Sequence, residues 1–219
     1  MTPNRKHFVE ELNDLNNKVS YMGDQVYNSY VKLISVCNTG DLDLAEQIIE
    51  QDKLINEIEV SINVDGYLLI AKQCPVASDL RRIITALKIS NELERIADYT
   101  VNISKYLKAN RETKQAFLEE IICLSTIFME MLDNIMEAFR NENIELALQV
   151  NDADELLDDE YKKSVKNLMK IAKVSSDEEI EQAMKALLVL KQLERAGDHV
   201  TNIAENIVYL VNGKRIELN

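Results

Sequence analysis

Glu94, Asp98 and Asn102 follow one another at intervals of four residues, and Glu194, Asp198 and Asn202 repeat the series one hundred residues later. On a helix, positions i, i+4 and i+8 lie along one side, so each series lines up its oxygens in a row. Two carboxylates one turn apart repel by about 0.2–0.5 kcal/mol on an exposed helix. A bound cation removes that repulsion, and carboxylate and amide oxygens are hard donors suited to Mg, Ca, Mn or Fe. One such pair on an acidic chain would mean little. Two pairs at matching positions, each with an arginine (Arg95 or Arg195) between and an asparagine after, form a duplicated feature that points to cation binding. The competing reading is a solvated face, on which Arg95 and Arg195 make ordinary salt bridges within their own helices.

The duplication runs wider than these residues. Between 85–104 and 185–204, eight of twenty positions are identical: Ala86, Leu87, Leu93, Glu94, Arg95, Asp98, Asn102 and Ile103. Generic core packing explains matched leucines but not matched Glu, Arg, Asp and Asn, so an internal repeat sets the architecture. A second match lays 38–58 on 140–160, pairing Leu42 with Ile144, Ala45 with Ala147, Asp52 with Asp154 and Asn56 with Asp158.

Six long segments with helical periodicity carry these residues. The first runs from about Phe8 to Val36 and stops at Asn38-Thr39-Gly40. The second starts at Asp41, an N-cap candidate, and reaches about Lys72. Cys74-Pro75 breaks it, and Ser78 or Asp79 can cap the third, which spans about Val76–Lys108. The fourth covers Lys114–Arg140 and the fifth Ile144–Lys173. The sixth follows Ser175-Ser176-Asp177, with Glu179 behind, and ends near Val211. Short connections make neighbours antiparallel, so the expected fold is all-α: two tandem three-helix bundles, residues 1–110 and 111–219, packed rigidly without a flexible linker.

Apolar stripes fix which faces turn inward. Ile89, Leu93, Ile96, Thr100, Ile103 and Leu107 form a 3-4 seam, repeated by Leu193, Ala196, Val200, Ile203, Ile207 and Leu210. The acidic rows lie beside these seams. Asp52 and Asn56 on the second helix, and Asp154 and Asp158 on the fifth, stand one residue beyond seams of their own. Adjacent helices are therefore expected to bring the rows together, with the second copy richer in carboxylate. A di-iron oxidase would need Glu-x-x-His on two helices, and neither His7 nor His199 stands three after a glutamate. Neither a glycine-rich phosphate loop nor a nucleophile–base constellation stands out, so catalysis has no support.

The chain has 25 Lys+Arg against 38 Asp+Glu, a net charge of −13. That surface disfavours nucleic acid and anionic lipid. Cys37, Cys74 and Cys123 are widely spaced and suit free thiols in a reducing cytosol. The longest apolar run, 186–190, is too short to span a bilayer, so direct membrane insertion is not expected.

Glu94-Arg-Ile-Ala-Asp98 and Glu194-Arg-Ala-Gly-Asp198-His199, each leading to Asn-Ile, resemble the PhoU family of phosphate-transport regulators. The likeness includes Gln73-Cys-Pro75-Val-Ala-Ser-Asp79-Leu80-Arg81, Asp52-Lys-Leu-Ile-Asn56 and Ala204-Glu-Asn-Ile-Val-Tyr-Leu210, and it covers essentially the whole chain. Ala97 and Tyr99 stand where the family commonly has Gly and His. The resemblance implies two three-helix bundles of spectrin-like shape, with Fe, Mn, Mg or Zn held by Glu94, Asp98, Asn102, Asp52 and by Glu194, Asp198, Asn202, Asp154, Asp158. It also implies a cytoplasmic homodimer that restrains phosphate uptake through the ATPase subunit of the phosphate ABC transporter and through a sensor histidine kinase. Asp79, Arg81 and Arg82 lie fifteen or fewer residues before Glu94, on the order of 22 Å along the helix for the farthest. They are candidates for partner contact, with a helix cap or surface salt bridge as their simpler role. A purely structural scaffold without metal is the alternative.

Overall fold

The computed structural model describes residues 3–111, 113–172 and 177–218. Among these, every regular element is a helix: α1 (Pro3–Thr39), α2 (Leu42–Gln73), α3 (Ser78–Ala109), α4 (Gln115–Asn141), α5 (Ile144–Leu148), α6 (Val150–Ala172) and α7 (Asp177–Asn212). The six expected segments are present, the fifth interrupted after one turn at Gln149, which keeps helical angles (φ −64°, ψ −17°). The Ser175-Ser176 capping signal lies outside the described residues.

Local chemistry sets the boundaries. Gly40 takes the left-handed conformation (φ 69°) that ends a helix without strain for glycine, and its N–H bonds the Val36 carbonyl at 2.8 Å. Asp41 then caps α2, its Oδ1 accepting from Asp43 N–H (2.9 Å) and Leu44 N–H (3.3 Å). Asn143 caps α5 in the same way through Leu146 N–H. The start of α3 differs from expectation: neither Ser78 nor Asp79 caps it, and its Ncap is Ala77, without a side-chain bond. Asp79 instead accepts from Arg5 Nη1 at 2.7 Å, because a charge-assisted bond outcompetes a neutral backbone donor.

The two bundles stand side by side, with α3 against α7 and α1 against α4, and α2 and α6 on the outside. The α3/α7 pair is antiparallel: Arg81 reaches the Leu210 carbonyl, Thr85 that of Asn206, and Glu92 meets His199. Tyr99 and His199, equivalent in the two repeats, touch each other with ring centroids 5.6 Å apart. Equivalent residues meet only on the axis relating two copies, so a local twofold passes here. Every residue of both predicted seams on α3 and α7 is buried, and one continuous apolar cluster unites the bundles. Removal of that apolar surface from water is the main force holding the repeats together.

Candidate functional site

The acidic rows flank the buried seams. On α3, Glu94 and Asp98 are half-buried, Arg95 is exposed, and Ile96 and Ala97 are buried; α7 repeats this pattern residue for residue over 193–200. The periodicity causes it: positions one step outside an inward stripe sit at the edge of the helix–helix contact, neither in the core nor free in water.

In the first repeat, α2 brings Asp52 and Asn56 to Glu94 and Asp98 of α3, and Glu59 adds a further charge beside Glu94. Asn56 Nδ2 donates to Asp52 Oδ2 at 3.3 Å. That leaves Asp52 Oδ1, Asn56 Oδ1 and Glu94 Oε2 buried without a hydrogen bond. Arg95 Nε lies 3.2 Å from Glu94 Oε2, close enough for attraction but not aligned to donate. In the second repeat, Asp154 and Asp158 of α6 share the field of Glu194 and Asp198 of α7. Glu194 Oε1 takes the Lys191 ammonium, and Oε2 is buried without a partner.

Burial and mutual repulsion leave a signature in the protonation equilibria. Burial first, then Asp198, Asp158 and Glu194, push the Asp154 carboxyl up to about 6. Burial also raises Asp52, Glu94 and Asp198, the first two with help from Asp98. Asp52 and Asp154, equivalent in the two repeats, are both raised by desolvation and like charge, so the nearby cations do not offset the repulsion at these two positions. The folded chain binds the Asp154 proton more tightly than the unfolded chain, whose value lies near 3.9. The stability lost to this group is therefore absent below about pH 4, grows as pH rises, and is complete above about pH 6. In chelator-treated protein, Asp154→Asn is expected to raise the melting temperature at pH 7.5 and to leave it unchanged near pH 4. An equal effect at both pH values contradicts this reading.

Backbone proximity shapes the second cluster. A Cβ built on Gly197 would stand 2.6 Å from Leu157 Cδ2 and 2.8 Å from Asp154 Oδ1, so the glycine lets α6 approach α7 and seats the aspartate. Its counterpart in the first repeat is Ala97, itself buried. Gly197→Val is expected to cost about 1–3 kcal/mol through overpacking and to displace Asp154, measurable by denaturant titration.

The asparagines part company from the rows. Each four-residue step turns a helix by about 40° beyond a full circle, so the third member drifts round the axis. Asn202 faces α3 and donates to Glu92 Oε2 at 3.2 Å, while Asn102 is exposed. Glu92, which sequence reasoning passed over, also holds His199 Nδ1 at 2.6 Å. Its carboxylate only accepts, so Nδ1 carries a proton and donates; Nε2 lies 3.1 Å from the Tyr99 hydroxyl. His199 is thus an interhelical tie on the twofold. Among the described residues, no three His, Cys, Asp or Glu side chains converge closely enough to grip an ion as they stand.

Asp79, Arg81 and Arg82 serve contacts within the chain. Asp79 pairs with Arg5 of α1, Arg81 Nε donates to the Leu210 carbonyl of α7 at 3.3 Å, and Arg82 meets Glu142 after α4 at 2.7 Å. The three cysteines are free, Cys37 buried and the others exposed. No helix among the described residues is long and apolar enough to cross a membrane.

Two repeated three-helix bundles, joined along their third helices and each carrying an acidic cluster, define a duplicated all-helical protein. The PhoU domain model matches residues 19–107 and again 121–207, and the chain belongs to the PhoU family. It is 33% identical over 218 residues to a phosphate-specific transport system accessory protein PhoU homolog of Clostridium acetobutylicum, covering 98% of this chain and 99% of that one. Identity to the Escherichia coli accessory protein PhoU is 33% over 208 residues, 94% of this chain and 86% of that one. The crystal structure of PhoU from Pseudomonas aeruginosa superposes with a TM-score of 0.88 at 30% identity, covering 94% of this chain and all of that one. That of the phosphate transport system regulatory protein PhoU from Streptococcus pneumoniae gives 0.85 at 26% identity, over 96% and 99%.

Proposed function

We propose that the chain is a cytosolic, non-enzymatic regulator that restrains phosphate uptake and phosphate-starvation signalling, and that it holds metal ions in its two acidic clusters. The relatives it matches over 94% and 98% of its length are named accessory proteins of phosphate-specific transport systems, and this carries the assignment to phosphate regulation. One observation carries the metal reading. Buried oxygens of Asp52, Asn56, Glu94 and Glu194 have no hydrogen-bond donor, on equivalent faces of two repeats. A buried acceptor without a donor costs about 1–3 kcal/mol, more when charged, and a cation relieves it.

The donor set fits a hard or borderline cation such as Mn, Fe or Mg: carboxylates plus one amide in the first cluster, carboxylates alone in the second. Asp52, Asn56, Glu94 and Asp98 would hold the first ion, and Asp154, Asp158, Glu194 and Asp198 the second. Bound there, a cation supplies charge neutralisation and ties each outer helix to the third helix of its bundle. The second donor set has four carboxylates against three in the first and should bind more tightly. Asn202, held by Glu92 on the α3 side, and the exposed Asn102 fall outside these two donor sets.

Partners of the chain, on this proposal, are the ATPase subunit of the phosphate transporter, a sensor histidine kinase and a second copy of itself. Affinity capture of the tagged chain from phosphate-replete cells tests this directly: recovery of the transporter ATPase and the kinase is expected, and recovery of neither overturns it. The scaffold reading has its own observation, since Arg95 sits 3.2 Å from Glu94 and 3.3 Å from Asp98, and Lys191 pairs with Glu194. Under that reading, alanine at these positions lowers the melting temperature without changing metal content.

A further inference from the structure

A cavity of about 450 Å³ opens where the two repeats join, between the end of α3, the start of α4 and the facing ends of α6 and α7. Its volume falls within the range of small-molecule sites. Phe117, Leu168 and Ala186, all nearly buried, form the floor. Tyr106 packs edge-on against Phe117 with centroids 5.9 Å apart and supplies an aromatic wall.

The first repeat shows why this space exists. At its equivalent end the α3/α7 register places Ile83, fully buried, where the second repeat has Ala183 on the cavity wall. Leu168 stands where the first repeat has Gly66 and fills part of the difference. The rest stays open because the plug is missing. Arg81 closes the first end by bonding the Leu210 carbonyl and packing on Gly213. Its counterpart Glu181 turns outward to Lys185 at 2.7 Å instead.

Charge at the mouth selects the occupant. Among the described lining residues the charged groups are Arg111, Lys114 and Glu120, and the Glu120 oxygens accept from Ser164 Oγ and Asn167 Nδ2. Arg111 lines the cavity and makes no ion pair among the described residues, on a chain where acids outnumber bases 38 to 25. A guanidinium left unpaired beside an apolar chamber suits a ligand with an anionic head and an apolar body.

We propose that this cavity binds a small amphipathic anion, a single chain or ring ending in a carboxylate or phosphate, with the apolar part against Phe117 and Leu168 and the head at Arg111. The site is separate from the acidic clusters and does not depend on their metal. Titration of the full chain with octanoate, octanol and octylamine, followed by calorimetry and melting temperature, tests it. Octanoate is expected to bind and stabilise, octanol more weakly, and octylamine least. Ala183→Ile, which restores the first repeat's residue, should abolish octanoate binding while melting no lower than the parent. Arg111→Gln should weaken octanoate roughly tenfold, the loss of one charge-assisted bond, and leave octanol unchanged. Octanoate binding that survives Ala183→Ile, octylamine binding as tightly as octanoate, or no octanoate binding by the parent chain would each overturn the proposal.

Discussion

Glu194→Ala/Asp198→Ala is expected to lose the ions of the second cluster and keep those of the first, while helical content stays the same. These two carboxylates come from the inner helix α7 and face Asp154 and Asp158 across the α6 contact, so their removal takes half of the charged donors. The remaining aspartates are no longer repelled by them, and Asp154 keeps only the effects of burial and of its neighbours Asp158 and Glu155. The metal-free double variant should therefore be at least as stable as metal-free parent protein, since the change removes like-charge strain rather than packing. A drop in stability equal in both metal states would mean that the pair serves only structure. Elemental analysis together with circular dichroism distinguishes these outcomes. The matching change in the first repeat, Glu94→Ala/Asp98→Ala, should remove the more weakly held ion.

Phe128→Ala is the substitution expected to cost most in stability, about 3–5 kcal/mol. Phe128 is fully buried on α4, with its ring centroid 4.4 Å from that of Tyr30 on α1. The Tyr30 hydroxyl in turn donates to the Ile96 carbonyl of α3 at 3.2 Å. One aromatic pair thus joins the first bundle to the second across the α1/α4 contact, close to the helix that carries the acidic row. Truncation leaves a cavity among helices that cannot all collapse onto it. The melting temperature should fall by roughly 6–20 °C for a chain of this size. A loss under about 1 kcal/mol would show that the two bundles are held elsewhere.

Much of this architecture is legible from residue spacing alone, because it is written in local repetition. The seams at 89–107 and 193–210 follow a 3-4 spacing that places every member inside. Asp41 after Gly40 announces a helix end and a start, and both form as the residue types require. The rows at Glu94/Asp98 and Glu194/Asp198 flank their seams, and Asp52 and Asp154 approach them as the second match implies. What escaped depends on register between helices. Glu92 reads as one more surface acid until α3 and α7 are laid antiparallel, where it meets His199 and Asn202. Asn202 belongs to its row in sequence but leaves it in space, since four residues overshoot one turn. Asp79 lost its capping role to Arg5, seventy-four positions away, which no local pattern reveals. The junction cavity is likewise invisible until Ala183 and Ile83 are compared in place.

Cation sites and solvated faces predict opposite responses of the two acidic clusters to added metal. Calorimetric melting across a manganese titration separates them most directly, comparing the parent chain with Glu94→Ala/Asp98→Ala/Glu194→Ala/Asp198→Ala. At a free metal concentration a hundred times the dissociation constant, each occupied site should add about 2.7 kcal/mol to the parent. The melting temperature of the parent should therefore climb steadily with metal, and that of the quadruple variant should stay flat. A parent chain indifferent to manganese, ferrous iron and magnesium alike, or a variant that climbs as steeply as the parent, would contradict the cation reading.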